Sequence, residues 1–333
     1  MGLRDGDFAR LLSAHTKKKH DRVPNFEICF DPLILSKIMG WSAENLKRSD
    51  MLSPEEQVAL AKKTCQDAII CNAQYWPAGP GEICSAEMME NIACHEPDYA
   101  KLRQQALACK DAVAHTNLGV GAMLTGSFST TYWAFGPIPI QSFMYMLHDD
   151  IELVKYAMDL QTQRQIEIIK ALENTGIGFV EIADDLCDNK GFFVRPDLLE
   201  EIWLDNTQKL VQAVKNYLRV PIQFHCCGKI DKLIPYLLNM NIDSLAPIQT
   251  NVNDIFQLKK DYNDRLTLVG NLSIDGVLAF GTPDDVVLQT RKLIEIVGKD
   301  GGYIVASSHS IVDAIPPENY FAMMETAVTH GIF

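Results

Sequence analysis

The sequence is short of positive charge. Its 333 residues include 30 Lys and Arg against 43 Asp and Glu, which gives a formal net charge of −13. Binding to nucleic acid needs basic side chains clustered on one face, yet the densest basic run, residues 17–22, is followed by a neutral or acidic stretch. The charge therefore predicts a protein that does not bind nucleic acid.

Long hydrophobic runs are also missing. No stretch approaches the ~20 consecutive apolar residues of a membrane-spanning helix, and residues 1–7 carry charges of both signs without the apolar core of a signal peptide. The nine cysteines, an odd number in a chain without secretion signals, favour reduced thiols over a disulfide framework. We therefore expect a cytoplasmic protein that makes no membrane contact.

The chain also lacks a Pro/Ser linker, a low-complexity tract and a GxGxxG motif after a first strand. Without that motif a doubly wound dinucleotide-binding sheet becomes the second choice of fold. What the sequence does contain is an alternation of short apolar runs with segments of helical period. Five such pairs follow one another, with their strands predicted at 177–182, 220–225, 242–246, 266–270 and 303–306.

The upstream half fits the same alternation more loosely. Strands are predicted at 25–28, 67–71 and 120–124, and a long helix is predicted to begin after Asp149 or Asp150. About eight strands, each alternating with a helix, imply a parallel sheet covered by helices. We therefore predict an α/β fold, a single (β/α)8 barrel domain over residues 1–333 with an N-terminal helical lead-in over residues 1–25.

In such a barrel the functional side chains gather where strands end and loops begin. His225 and Cys227 form a His-x-Cys pair at one predicted strand end, and the period of two in a strand directs both to one face. Imidazole and thiolate are preferred zinc ligands, and a catalytic zinc needs three protein ligands, so Cys187 or His309 could complete the site. The alternative is a buried histidine beside core cysteines.

Acidic and aromatic side chains follow other predicted strand ends. Glu181, Asp184 and Asp185 could act as general acid or base, bind metal or orient His225, although Asp184 or Asp185 could also simply cap a loop or helix. The aromatic segments 76–81 and 131–137 suit a flat, apolar ligand. The residues predicted to contact substrate are Tyr75, Trp76, Phe128, Tyr132, Trp133 and Asn271.

An ordered set of short motifs resembles the uroporphyrinogen decarboxylase superfamily. The motifs are HCCG at 225–228, LAPIQ at 245–249, DRLTLVGN at 264–271, GTP at 281–283, GGYI at 301–304, SH at 308–309 and PPEN at 316–319. The resemblance is strong over residues 175–333 and weaker back to residue 20. It implies a (β/α)8 barrel and one of two chemistries, decarboxylation of a porphyrinogen or corrinoid-dependent methyl transfer.

The methyltransferase branch resembles this chain better. The decarboxylases carry an Arg-Gln-Ala-Gly-Arg segment that grips substrate carboxylates, whereas residues 22–29 here read RVPNFEIC, and a net charge of −13 suits a polycarboxylate poorly. Cobamide-dependent methyltransferases bind zinc through a His-x-Cys motif, which His225 and Cys227 match. Thiol-methylating members have Pro-Gly-Cys at the last strand, where this chain has Ser307, Ser308 and His309.

O-demethylase methyltransferases, which act on phenyl methyl ethers, also resemble this chain in the spacing of their proposed zinc ligands. Their Asp…Cys…Cys zinc pattern matches the spacing of Asp159, Cys187 and Cys227, although Asp159 falls inside a predicted helix. The resemblance implies that the chain takes methyl from a small aryl methyl ether, with zinc as Lewis acid, and passes it to the Co(I) corrinoid of a partner protein, with a homo-oligomer possible. The alternatives are a uroporphyrinogen-type decarboxylase, a corrinoid-to-thiol methyltransferase, or a barrel that binds a ligand or a corrinoid protein without turnover.

Overall fold

The computed structural model describes residues 5–42, 46–76, 96–135 and 138–333. The strands are β1 (Ala68–Asn72), β2 (Gly119–Thr125), β3 (Ile177–Ala183), β4 (Cys187–Asp188), β5 (Gly191–Phe192), β6 (Ile222–His225), β7 (Ser244–Ala246), β8 (Thr267–Leu272) and β9 (Tyr303–Ser307). Seven of them form one parallel sheet in the order β1-β2-β3-β6-β7-β8-β9, and β4 pairs with β5 as a small antiparallel hairpin. Parallel strands that alternate with helices confirm the predicted α/β class.

The helices alternate with these strands along the chain. They are α1 (Phe8–His15), α2 (Pro32–Met39), α3 (Pro54–Thr64), α4 (Tyr99–Val113), α5 (Ser127–Trp133), α6 (Pro139–Asp149), α7 (Ile151–Ala171), α8 (Pro196–Leu199), α9 (Asp205–Ala213), α10 (Ile234–Asn239), α11 (Ile255–Tyr262), α12 (Val277–Phe280), α13 (Pro283–Ile296) and α14 (Pro317–His330). A 3-10 turn lies at Ser49–Met51, and π-helical segments at Glu200–Leu204 and Val214–Leu218 extend α8 and α9. None of the helices in the described ranges combines the length and apolarity needed to cross a bilayer.

Local sequence signals explain most element boundaries. The α13 helix begins with a capping box, in which the Thr282 hydroxyl accepts from the Asp285 N–H while the Asp285 carboxylate accepts from the Thr282 N–H. The α10 helix begins at Ile234 rather than at the predicted residue 230, because Pro235 favours the first helical turn. Pro221 likewise precedes β6, since it has no N–H to donate to a ladder.

Residues 24–30 occupy the place next to β9, where the sequence predicts a strand at 25–28. They form two isolated parallel bridges, Asn25 to Val305 and Phe30 to Ile311, and no continuous strand. Side-chain amide oxygens accept backbone hydrogen bonds here. Gln66 Oε1 accepts from the Glu27 N–H at 3.0 Å, and Gln57 Oε1 accepts from the N–H of Ile70, on β1, at 2.9 Å. A closed eight-stranded barrel therefore stays a prediction.

The sheet nevertheless curls towards closure. Ala68 of β1 and Ile304 of β9, which belong to the two edge strands, lie in one small apolar cluster on the inner face of the sheet. Helix α1 covers this cluster from below, because Phe8 packs where a Cβ on Gly119 or Gly178 would lie 2.1 or 2.3 Å from its ring. The larger core lies between the sheet and the surrounding helices. The carboxyl ends of the strands are therefore left as the open end of the sheet.

Candidate functional site

A cavity of about 370 Å³ lies at the carboxyl ends of the strands, a size suited to a small molecule. Asp185, His225 and His309 line it at the carboxyl ends of β3, β6 and β9, together with Gln223 and Ser307. Polar side chains from separate strand ends thus meet in one place, as the barrel rule leads one to expect.

Asp185, His225 and Cys227 form a compact group of possible metal ligands. One donor atom from each, a carboxylate oxygen, a ring nitrogen and Sγ, lies within 4.8 Å of the other two. His225 Nε2 is 3.6 Å from Cys227 Sγ, and ligands held at about 2.0–2.3 Å by a tetrahedral zinc are separated by about 3.5 Å. The nitrogen, sulfur and oxygen donors and their spacing fit a zinc ion.

The loop after β6 takes its shape from Gly228. This residue has φ of +84°, and a Cβ there would lie 2.5 Å from the Asp188 carbonyl oxygen in the β4–β5 hairpin. The turn brings the Cys227 N–H within 2.9 Å of Asp185 Oδ1, to which it donates. The glycine of the HCCG motif therefore allows the β3 and β6 loops to pack together and bring their ligands into contact.

Charge interactions in this group favour a thiolate next to imidazolium. Burial opposes the charged form of Cys227, but hydrogen bonds from His225 and His309 outweigh it and lower the pKa of the thiol. Burial likewise opposes protonation of His225, but its contacts with Cys227 and Glu181 raise the pKa. The contact with Cys227 also raises the pKa of His309. His309 therefore approaches Cys227, although it lies outside the three-residue group.

Glu181 lies behind His225. Its Oε1 is 3.2 Å from His225 Nδ1, and its Oε2 accepts a hydrogen bond from Gln223 Nε2. Glu181 is fully buried on β3. A metal-binding histidine commonly has a carboxylate at its second ring nitrogen, which fixes the tautomer and leaves Nε2 for the metal.

The family model for uroporphyrinogen decarboxylase (URO-D) matches residues 10–330. The chain belongs to the URO-D family. This confirms the resemblance inferred from the ordered motifs, and it extends that resemblance over the upstream half of the chain.

Two proteins similar to this URO-D chain, one in sequence and one in fold, are methyltransferases. The chain is 24% identical over 188 residues to the methylcobamide:CoM methyltransferase MtaA of Methanosarcina barkeri, covering 56% of this chain and 52% of MtaA. It thus spans about half the length of the curated relatives it matches. A methyltransferase from Methanosarcina mazei has the same fold, with a TM-score of 0.70 at 15% identity, covering 96% of this chain and 97% of that one.

The remaining predicted ligands of this URO-D chain lie elsewhere. Cys187, on β4, is buried against the Cys226 thiol, whose pKa is raised by burial and by the contact with Cys187. Asp159 is exposed on α7 with its carboxylate 3.8 Å from Lys209 Nζ. The structure brings neither side chain into the group formed by Asp185, His225 and Cys227.

Asp184 lies in the protein interior and holds neighbouring segments together. It is fully buried, accepts from the Ser129 N–H at 2.7 Å and from Trp203 Nε1 at 2.8 Å, and burial raises the pKa of its carboxyl to about 6. These bonds tie the start of α5 to β3 and to the helix that contains Trp203. Asp184 therefore corresponds to the capping alternative, whereas Asp185, one residue later, faces the cavity.

The predicted aromatic contacts divide into two groups. Trp76, Tyr132 and Trp133 line the cavity, and the two indole rings meet edge to face with centroids 5.8 Å apart. Phe128 instead lies in the core against Phe143, and Tyr75 lies under the Arg164 guanidinium at 5.8 Å.

Asn271, also predicted to contact substrate, is buried in β8 outside the described cavity wall. Loop residues 77–81 and 136–137, which the aromatic prediction includes, lie outside the described residues.

Gln223 and Glu27 are among the cavity residues that were not predicted from the sequence. Gln223 lies two positions before His225 on β6, so the strand period of two places both on one face. Glu27 is the single charged residue in the apolar run from Val23 to Phe30. A lone acidic residue within a mostly apolar segment is a sequence signal that could have found it.

Proposed function

We propose that this chain is a corrinoid-dependent methyltransferase that takes the methyl group from a small aryl methyl ether and passes it to the Co(I) corrinoid of a partner protein. The observation that carries the proposal is the convergence of Asp185, His225 and Cys227 beside the cavity of a URO-D family chain. The similarity to a methylcobamide-using methyltransferase supports the corrinoid.

The proposed metal ligands are Asp185, His225 and Cys227. A zinc ion bound there would supply a Lewis acid for the ether oxygen. Glu181 holds the His225 ring so that Nε2 points towards Cys227. Against the effect of burial, contacts with His225 and then His309 lower the pKa of Cys227 and so favour the thiolate, the form that binds metal.

The aromatic side chains at the cavity mouth support a flat methyl donor. Trp76 and Trp133 are 45% and 40% exposed and line the same cavity as Tyr132. Edge-to-face and stacked arrangements of aromatic rings are favourable, so this wall can hold an aryl ring and keep water from it. The methyl group must face the open end of the sheet, where the partner's corrinoid can reach it.

A methyl-transfer assay tests the proposal. Purified zinc-loaded protein, a corrinoid protein reduced to Co(I) and a panel of methoxyarenes should yield the absorption of methyl-cobalt together with an equal amount of phenol. Absence of both products over the panel would overturn the proposal. Activity that survives complete removal of metal, with release of carbon dioxide from a porphyrinogen, would identify a decarboxylase instead.

Methyl transfer from a corrinoid to a thiol is the second candidate, because the similar MtaA is named for that reaction. The same reagents separate the two. A methyl-corrinoid protein incubated with this chain and a small thiol should stay methylated if the aryl ether is the donor. Rapid loss of methyl-cobalt with formation of a thioether would favour the thiol reaction and contradict the ether.

A further inference from the structure

Glu27 is a buried carboxyl group in the cavity wall. It lies on the segment beside β9, is only 8% exposed and lines the same cavity as His225. Its Oε1 accepts from the Ser307 N–H at 2.6 Å, and its Oε2 accepts from Ser307 Oγ at 2.8 Å. Within the described ranges, no Lys, Arg or His forms an ion pair with it. The sheet order places β7, β8 and β9 between β6 and this segment, so Glu27 and His225 face the cavity from different sides.

These surroundings suit both protonation states of Glu27. Burial without a cation favours the neutral acid and raises the pKa to about 8, so the group holds a proton at neutral pH. Once the proton has left, the Ser307 N–H donates to the carboxylate, and the Ser307 hydroxyl, which also contacts the His309 carbonyl oxygen, can turn its proton to the carboxylate. A group that is protonated at rest and hydrogen-bonded after losing its proton has the properties of a general acid.

The other acidic groups near the cavity are engaged elsewhere. Asp185 belongs to the proposed metal ligands, and Glu181 is committed to His225 and Gln223. Asp50 lies 3.4 Å from the Arg48 guanidinium at the mouth. Among the described cavity-wall residues this leaves Glu27 as the carboxyl group without a charged partner.

We infer that Glu27 is the catalytic acid that protonates the oxygen released from the methyl donor. This inference rests on the proposed function. In the reaction the C–O bond breaks, the Co(I) electron pair forms the bond from cobalt to methyl, and the oxygen leaves with the C–O electron pair. The proton passes from the Glu27 carboxyl to that oxygen, which gives the phenol, and solvent later returns a proton to the carboxylate.

Leaving-group dependence tests this role. Glu27→Gln keeps the size of the side chain, an oxygen that can accept from the Ser307 N–H and an amide group that can donate to Ser307 Oγ, but it has no acidic proton to transfer. With methoxybenzene, whose phenolate is a poor leaving group, the variant should lose about 10²–10⁴-fold in kcat. With 4-nitromethoxybenzene, whose phenolate leaves without a proton, the loss should stay below about 10-fold. Asp159→Asn, exposed on α7, serves as the control and should match the unaltered protein with both substrates.

An equal loss of kcat on both substrates would overturn the inference, because a merely structural role does not distinguish leaving groups. An infrared measurement on metal-free protein without corrinoid is independent of the proposed function. The difference spectrum between the unaltered protein and Glu27→Gln should contain the carbonyl band of a protonated carboxyl group at neutral pH. A carboxylate band in its place would contradict the inference, even if no methoxyarene proves to be a substrate.

Discussion

Asp184 and Asp185 are adjacent in the sequence, yet their side chains have different surroundings. Asp184 turns into the protein and accepts from Ser129 and Trp203, whereas Asp185 turns to the cavity beside Cys227. The sequence predicts that a carboxylate acts at this strand end but cannot choose among neighbours, because the choice depends on which donors distant segments supply. The same holds for His225, because the sequence offers Glu181, Asp184 and Asp185 as carboxylates that could orient it, and the pairing of β3 with β6 selects Glu181.

The raised pKa of Glu27 predicts a pH-dependent difference in stability. The pKa rises from 4.5 in the unfolded chain to about 8 in the folded protein, so the stabilising contribution is complete below 4.5 and is lost as the pH rises to about 8. The free energy of unfolding of Glu27→Gln, relative to the unaltered protein, should therefore increase with pH by up to about 1.4 kcal/mol per pH unit in that window.

Urea unfolding at several pH values between about 5 and 8 measures this difference. Among the described residues, Ser307 contacts Glu27, and the phenols of Tyr303 and Tyr320 interact with it electrostatically; all three groups are uncharged in this range and unchanged in the variant. A difference that stays constant with pH would show that Glu27 is already ionised in the folded protein.

At the scale of elements, the sequence predicts the later strand–helix pairs well. Capping residues and prolines mark their boundaries locally, as Thr282 and Pro283 do for α13. The segment at 25–28 differs, because the Glu27 N–H donates to Gln66 and the Ile70 N–H of β1 donates to Gln57, so these two glutamines on and just after α3 take up N–H groups that strand pairing could use. The β-propensity of residues 25–28 carries no information about Gln57 and Gln66, which lie about thirty to forty positions away in the sequence.

The packing of α1 beneath the sheet predicts a specific coupling. Gly119→Ala places a methyl group where the Phe8 ring lies, 2.1 Å away, and should cost about 1–3 kcal/mol of unfolding free energy. In a Phe8→Ala background the space is empty, so the same substitution should cost less than about 1 kcal/mol. Denaturant unfolding of the four proteins of this cycle measures the coupling.

Gly281→Ala provides the matched control, because a Cβ there meets Val277 on α12 and not Phe8. Its cost should be the same with and without the Phe8 ring. If Gly119→Ala also costs the same in both backgrounds, α1 does not cover the sheet as described.

At the scale of the whole molecule, zinc binding should stabilise the fold. A ligand that binds only the folded state adds about 2.7 kcal/mol at a concentration one hundred times its Kd. Zinc should therefore raise the midpoint of thermal unfolding of the unaltered protein, and a chelator should reverse the rise. Cys227→Ala should lose this response, together with the bound zinc measured per chain.

Cys29→Ser is the control, since Cys29 lies at the cavity wall near Arg48 and away from the proposed ligands. It should keep the zinc-dependent rise. An equal rise in Cys227→Ala would mean that zinc binds elsewhere on the chain.

The whole-molecule prediction from the sequence was an α/β barrel of the URO-D family, and the class and the family are confirmed. Strand count alone could not decide how the sheet closes, because closure depends on contacts between the first and last parts of the chain. Ala68 and Ile304 are more than two hundred positions apart in the sequence and share one cluster only after folding.

The side-chain amides between residues 24–30 and β1 also bear on self-association. An edge strand with a free row of N–H and C=O groups is a template for adding a strand from another molecule, the first step of many aggregates. Here the Ile70 N–H donates to Gln57 Oε1, and the Glu27 N–H donates to Gln66 Oε1. Two N–H groups at the opening beside the cavity are therefore unavailable to a strand added from another molecule, so the glutamines that flank this opening also limit strand pairing there.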